Sequence, residues 1–404
     1  MKRNFTDNII LILKILVLIF ISRLSLYILG FISINTFPMY DSAKSDITNT
    51  IKSPRLKRIS VEDFNKFDSG FYFQIADIGY PKVTMSESNS ATRISFFPLY
   101  PLLIRAMRIL NISSSNLINA LILSNGLLLF ALFYIYKICE LRRFSRSETY
   151  FTLALILCYP SSIFYSVPYT ESLFLCLSAA TLYYSMKGRY INASIFAGLS
   201  AITRFPGFVN VMYIFLMMLS EINNKKNVTD QLKKIFMCMV ISIIPISIYF
   251  SYMKYLTGDF LAPLHDVNNW GRKLSIPFKS YVDYIFNPYF LSSGGWNNGI
   301  ISFCIATAVL GVFILYAILY FRKLTIKEVI LLIYGFLVIT IPFSNAGSDL
   351  VSIPRYLMVS IPMYFYIVEL CKKYEFIFLG YLFLFTIFNA LTTIGYFNGY
   401  HFVV

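Results

Sequence analysis

The chain has 404 residues, 57% hydrophobic, 18% aromatic and only 14% charged, with a mean hydropathy of +0.65. A soluble protein of this length needs far more charge to cover its surface, so the composition excludes that class and predicts an all-α polytopic membrane protein. The net charge of +15 falls largely in short Lys/Arg clusters between apolar runs, which argues against a nucleic-acid partner.

Residues 9–31 form a first span, too long for a signal h-region and without a small-residue cleavage site, so the span is expected to be retained. The segment 32–115 is long and mixed in charge. It reads as an external loop whose helices lie in the membrane interface. Within it Phe64, Phe67, Phe71, Ile75 and Ile78 step by three or four residues and predict one helix. Ser60 with Asp63 predicts an approximate capping box, and Gly79-Tyr80-Pro81 a stop. Asp68 lies on this helix in line with Phe64 and Tyr72. Further spans are expected over 116–138, 149–167, 171–186, 191–204, 206–220, 235–256, 298–321, 328–343, 356–371 and 376–396. That makes about eleven, in a single integral-membrane domain over 1–404.

Charge sets the orientation. With Lys2 and Arg3 inside, alternation puts five basic connections on the same side: Arg142, Arg143 and Arg146; Lys187 and Arg189; Lys225, Lys226, Lys233 and Lys234; Arg322, Lys323 and Lys327; Lys372 and Lys373. The opposite face receives 32–115, 167–170, 204–206, 257–297, 344–355 and the C-terminus.

Several polar stretches fall on that outer face beside Asp68. "RISFFPLYPLLIR" carries Arg93 and Pro98, where a broken interfacial helix is the plainer reading. "YPSSIFYSVPYTESLF" puts Tyr169 and Glu171 just after Pro168, although Thr170 and Glu171 equally suit a helix cap. "AITRFPGF" puts Arg204 at a Pro-Gly turn, and "SIPRYL" puts Arg355 at the start of a late span. Snorkelling competes with a ligand role at both. "GDFLAPLHDVNNWGRK" holds His265, Asp266, Trp270 and Arg272 in a polar loop. Arg beside carboxylates suits an anionic lipid-linked substrate, because guanidinium groups pair with phosphate oxygens in forked geometry. A nearby carboxylate can take a proton from an attacking hydroxyl, with Asp63, Glu171 and Asp266 as rivals of Asp68 for that part.

Absences narrow the chemistry. There is no Asp-x-Asp pair, P-loop, GxGxxG after a strand or HExxH. Six Cys without a CxxC, among them Cys158, Cys176, Cys238 and Cys304 inside apolar runs, indicate neither a disulfide framework nor a zinc site.

The blocks "FDSGFYFQIADIGYP", "FFPLYP", "YPSSIFYSVPYTESLF", "GLSAITRFPGF" and "SIPRYLMVSIPMY" resemble, in that order, the PIG-V family, whose eukaryotic members resemble GPI mannosyltransferase 2. The resemblance implies a GT-C-type fold with an active site around the first external loop. It also implies transfer of a sugar, typically mannose, from a polyprenyl- or dolichyl-phosphate donor to a glycolipid or glycan acceptor, with inversion. Asp68 matches the family's catalytic acid. Ser69, Tyr72, Arg93, Pro98, Tyr169, Glu171, Arg204, His265, Asp266, Trp270, Arg272 and Arg355 are then expected to line the substrate site, and no metal or cofactor is expected. This chain departs from the pattern at Phe67, where relatives often have Trp, and at Phe205-Pro206-Gly207, where GPI-pathway members tend to have Ser-Asn-Gly. The expected location is the plasma membrane in a prokaryote or the endoplasmic reticulum in a eukaryote, with the site on the external or lumenal side. The rival class is a lipid or solute transporter or flippase, whose path such charges would mark. No internal repeat of the kind such proteins show is visible.

Overall fold

The computed structural model describes residues 2–41, 46–48, 56–83, 92–222, 228–290, 299–346, 350–372 and 375–400. Helices carry most of them. In chain order they are α1 (Lys2–Thr36), α2 (Ser69–Ile78), α3 (Leu99–Ile109), α4 (Asn116–Leu141), α5 (Arg146–Leu157), α6 (Glu171–Met186), α7 (Tyr190–Ala201) and α8 (Gly207–Ser220). There follow α9 (Val228–Thr257), α10 (Ala262–His265), α11 (Lys279–Phe286), α12 (Gly299–Tyr320), α13 (Ile326–Phe343), α14 (Ile353–Leu357), α15 (Ile361–Cys371) and α16 (Glu375–Phe397). Apolar runs adopt helices in lipid because each backbone N–H and C=O must find its partner inside the element. Among the described residues six stretches are long and apolar enough to cross: Thr6–Thr36, Asn116–Leu141, Val228–Thr257, Gly299–Lys323, Ile326–Phe343 and Phe376–Phe397. The chain is thus an integral membrane protein. The other five expected spans are shorter or interrupted.

The first interruption falls in 149–167. Helix α5 stops at Leu157, and 158–170 continues as turns around a 3-10 segment, Ser162–Tyr165, flanked by Pro160 and Pro168. Residues 159–170 are all buried. Non-helical backbone among membrane helices persists only when protein covers it and supplies hydrogen bonds. Arg23 of α1 donates to the Ser162 carbonyl (3.2 Å) and to the Ser166 hydroxyl. Asn125 of α4 donates to the Ser166 carbonyl (3.2 Å), and Ser172 to the Tyr165 carbonyl (2.6 Å). The second interruption splits 356–371. Helix α14 ends at Leu357 and α15 begins at Ile361 with Pro362 in its first turn, so Arg355 and Tyr356 belong to the short α14 before the span.

Ion pairs mark one end of the bundle. Arg142 binds Glu328 (3.0 Å) and Glu369 (2.8 Å), Lys372 binds Glu148 (3.3 Å), and Lys327 binds Glu221 (2.5 Å). The cations of these pairs come from three of the expected basic connections; Lys225, Lys226 and Lys373 lie outside the described residues. At the other end a two-stranded antiparallel ladder pairs Lys273 with Ala346 and Leu274 with Asn345. That ladder ties the loop holding Arg272 to the connection holding Arg355.

Candidate active site

The segment around Asp68 is not the single helix that its periodicity predicts. Ser60 and Asp63 do form a capping box, but it closes only a 3-10 turn, Val61–Phe64. The chain then breaks, because Phe67 takes a left-handed φ of 56°, and α2 starts at Ser69 with Asp68 as its N-cap. A non-glycine residue there costs about 1–2 kcal/mol. Helix α16 holds it in place. Tyr396 donates to the Phe64 carbonyl (2.8 Å), Lys66 donates to the Phe397 carbonyl (2.8 Å), and the Phe67 and Tyr396 rings meet edge-on at 5.7 Å. The predicted stop at Gly79 is present, with φ 74°.

The break frees the acid. The Asp68 carboxylate makes no cap hydrogen bond, and its Oδ2 lies 3.2 Å from Arg355 Nη1. Its backbone N–H donates to the Tyr169 hydroxyl (3.0 Å), which donates to the Lys66 carbonyl (3.3 Å). Asp68 keeps 24% side-chain exposure, whereas Arg355 keeps 6%. Tyr72, one turn along α2, packs edge-on against Phe96, Tyr100 and Tyr169. Burial raises its pKa, and the Glu171 and Asp68 charges raise it further.

Glu171 opens α6. Thr170 supplies no side-chain cap, and the Glu171 carboxylate is 1% exposed, so capping does not account for it. Its Oε1 binds Arg204 Nη1 at 2.5 Å and lies 3.7 Å from Arg355 Nε, while Oε2 is buried without a hydrogen-bond partner among the described residues. Arg204 sits in the break between α7 and α8, where the helices approach so closely that a Cβ on Gly207 would overlap the Ser200 carbonyl. Arg272 donates to the Tyr356 hydroxyl. Asp68, Tyr169, Glu171, Arg204, Arg272 and Arg355, drawn from five separate stretches, therefore meet in one network.

The other expected residues do different things. Asp266 is fully buried and accepts from Thr92 (3.0 Å), Ser95 N (3.2 Å), Ser95 Oγ (2.7 Å) and Asn269 (3.1 Å), so it ties two loops together. His265 is exposed and pairs with Asp259 at 2.5 Å. Arg93 donates to the Gly79 carbonyl at the end of α2 (2.8 Å), and Pro98 is the N-cap of α3. Ser69 donates back to the Lys66 carbonyl (2.6 Å). Trp270 stands edge-on to Phe71 and Phe96 and donates to the Thr92 carbonyl (3.2 Å). Asp63 belongs to its capping box.

Two residues escaped the sequence reading. Tyr356 is surrounded by cations, with the Arg204, Arg272 and Arg355 guanidinium carbons each 5.1 Å from its ring centroid. Arg23 holds the buried 158–170 segment whose end delivers Tyr169 and Glu171. The signal for Tyr356 was its place beside Arg355. For Arg23 it was a lone charge well inside a span, which in membranes usually faces the bundle interior.

Helices long enough to cross lipid and a buried, charged cluster at one end of the bundle define a multi-span helical membrane protein. The mannosyltransferase (PIG-V) family model matches residues 10–370. The chain belongs to that family, and so to a family of glycosyltransferases. No curated protein matches it. Among solved structures it is similar to the Archaeoglobus fulgidus oligosaccharyltransferase. The apo form matches at 10% identity and TM-score 0.49, over 94% of this chain and 56% of that one. A complex with Zn and sulfate matches at 11% and 0.48, over 91% and 53%. A complex with an inhibitory peptide and a dolichol-phosphate matches at 10% and 0.47, over 93% and 56%. The chain spans about half the length of those structures, and similarity at this level carries no argument about its activity.

Proposed function

We propose that the protein transfers a sugar, mannose by family, from a polyprenyl- or dolichyl-phosphate donor to a hydroxyl of a glycolipid or membrane-associated glycan. The reaction inverts the anomeric centre at the external or lumenal face, in a single 1–404 domain of GT-C type with about eleven crossings. Asp68 takes the proton of the acceptor hydroxyl as its oxygen attacks the anomeric carbon. Arg204, Arg272 and Arg355 grip the phosphate, and Glu171 holds Arg204 and Arg355 in place. Tyr72 and Tyr169 wall the pocket.

The observation that carries this reading is the Asp68–Arg355 contact inside the network. Three guanidinium groups against two carboxylates leave one net positive charge (3 − 2 = +1), which matches the single negative charge of a phosphodiester. Charge stays balanced through the step. The departing phosphate gains one negative charge as Asp68 loses its own by protonation. Arg355, released from its carboxylate partner, then meets that new charge. Electrostatic stabilisation of this kind supplies a large share of many rate enhancements. Proximity of two membrane-held reactants supplies another.

The test is incubation of the purified protein in vesicles with labelled polyprenyl-phosphate mannose and glycolipid acceptors, followed by analysis of the lipid products. Mannose-extended acceptor, with free polyprenyl phosphate released in equal amount, is expected. Movement of the labelled lipid across the bilayer without new product would instead favour the transporter reading.

A further inference from the structure

Tyr356 enters here on the strength of the phosphate-linked donor just proposed. Its hydroxyl oxygen accepts from Arg272 Nη1 and from Arg355 Nη2 (3.3 Å). A phenol has one proton to give, and a guanidinium can only donate. The Tyr356 proton therefore points away from both, and no acceptor among the described residues receives it. Arg272, for its part, meets no carboxylate among the described residues. Tyr356 is also partly exposed. A free O–H beside a cation without a counter-ion is arranged to receive an anionic oxygen.

We propose that Tyr356 is a catalytic residue whose hydroxyl donates to the phosphate oxygen that leaves the anomeric carbon, with Arg272 and Arg355 on the neighbouring oxygens. No proton transfer from the tyrosine is required. The electron pair of the breaking C–O bond stays on the phosphate oxygen, the acceptor's proton passes to Asp68, and the Tyr356 hydrogen bond strengthens as charge accumulates. Donors aimed at charge that develops only in the transition state act on kcat.

The neutral hydroxyl is the working form, because tyrosinate has no proton to give and would cancel part of the positive charge. Burial alone raises the Tyr356 pKa. The Arg272, Arg355 and Arg204 charges outweigh burial and pull it down to about 8. The carboxylates of Asp68 and Glu171, which pair with Arg355 and Arg204, are the acids of the same network. The working form is thus present below about pH 8 and lost above it.

Tyr356→Phe keeps the ring, and with it the contacts to three guanidinium groups. In the full-length protein kcat/KM for polyprenyl-phosphate mannose is expected to fall in alkali for the wild type, because kcat/KM reports free-enzyme ionisations. Y356F is expected to lose about 10²-fold in kcat with a smaller change in KM, and to lose that alkaline limb. A role in packing alone would leave the limb in place. Y356F with wild-type kcat, or with the limb retained, overturns the proposal. A second measurement needs neither turnover nor the variant: the affinity of wild-type protein for polyprenyl phosphate, expected to weaken above about pH 8. If the wild type makes no product, the transfer reading has failed. The affinity profile still decides the role of Tyr356, and flat affinity through that range overturns it.

Discussion

Asp68→Asn separates chemistry from folding and from donor binding. The Asp68 side chain does not cap α2, so its replacement leaves the helix start intact. The amide keeps an oxygen for Arg355 Nη1, and that guanidinium keeps Glu171 at 3.7 Å as a second carboxylate, so losing the charge of the 24% exposed Asp68 should cost only about 1 kcal/mol. The net charge of the cluster rises from +1 to +2, so the donor's phosphate should bind no worse, and KM for the donor should hold or fall. Loss of a positioned base removes about 10²–10⁴-fold in rate. At 1.36 kcal/mol per decade that is about 2.7–5.4 kcal/mol of barrier, all of it in kcat. Transfer of labelled mannose into the lipid phase, measured over donor concentration and beside thermal unfolding in detergent, reads all three quantities. A variant within about threefold of wild-type kcat refutes the assignment. So does a kcat loss matched by a large fall in Tm, since the site would then have been lost with the fold.

Other perturbations divide the network by function. Arg272→Ala should raise KM for the donor about tenfold or more with little change in Tm, because Arg272 pairs with no carboxylate among the described residues and charge-assisted bonds to an anion are worth about 1.5–3 kcal/mol; donor-saturation curves check it. Glu171→Gln leaves two nearly buried guanidinium groups short of a counter-ion, and removing one partner from such a site costs about 3–5 kcal/mol, read as a large fall in Tm. Gly207→Ala forces a methyl into the Ser200 carbonyl and should destabilise by about 1–3 kcal/mol, opening the break that holds Arg204.

The sequence made the two ends of the molecule legible, because positive charge and span length obey simple rules in lipid. Those rules put Asp68, Glu171, Arg204, Arg272 and Arg355 on one side, and the fold joins them. They were blind to local breaks. Phe64, Phe67 and Phe71 have helical spacing, yet Phe67 and Phe64 reach α16, a contact that no local pattern encodes and that turns Asp68 out of the helix. The span expected over 149–167 took no account of Pro160, and the donors Arg23 and Asn125 on distant helices make the buried irregular segment tolerable. Tyr356 looked like one more aromatic among many. What distinguishes it is the convergence of three cations from three separate stretches, a property of the packing.

The anchors of the Asp68 turn lie far along the chain. Lys66 and Phe64 are fixed by Phe397 and Tyr396, separated from them by 331 and 332 positions. A ribosome delivering this protein into a bilayer therefore finishes nearly every other helix before the acid can take up its bent pose. Until α16 arrives, the turn that carries Asp68 lacks the two hydrogen bonds that hold its shape.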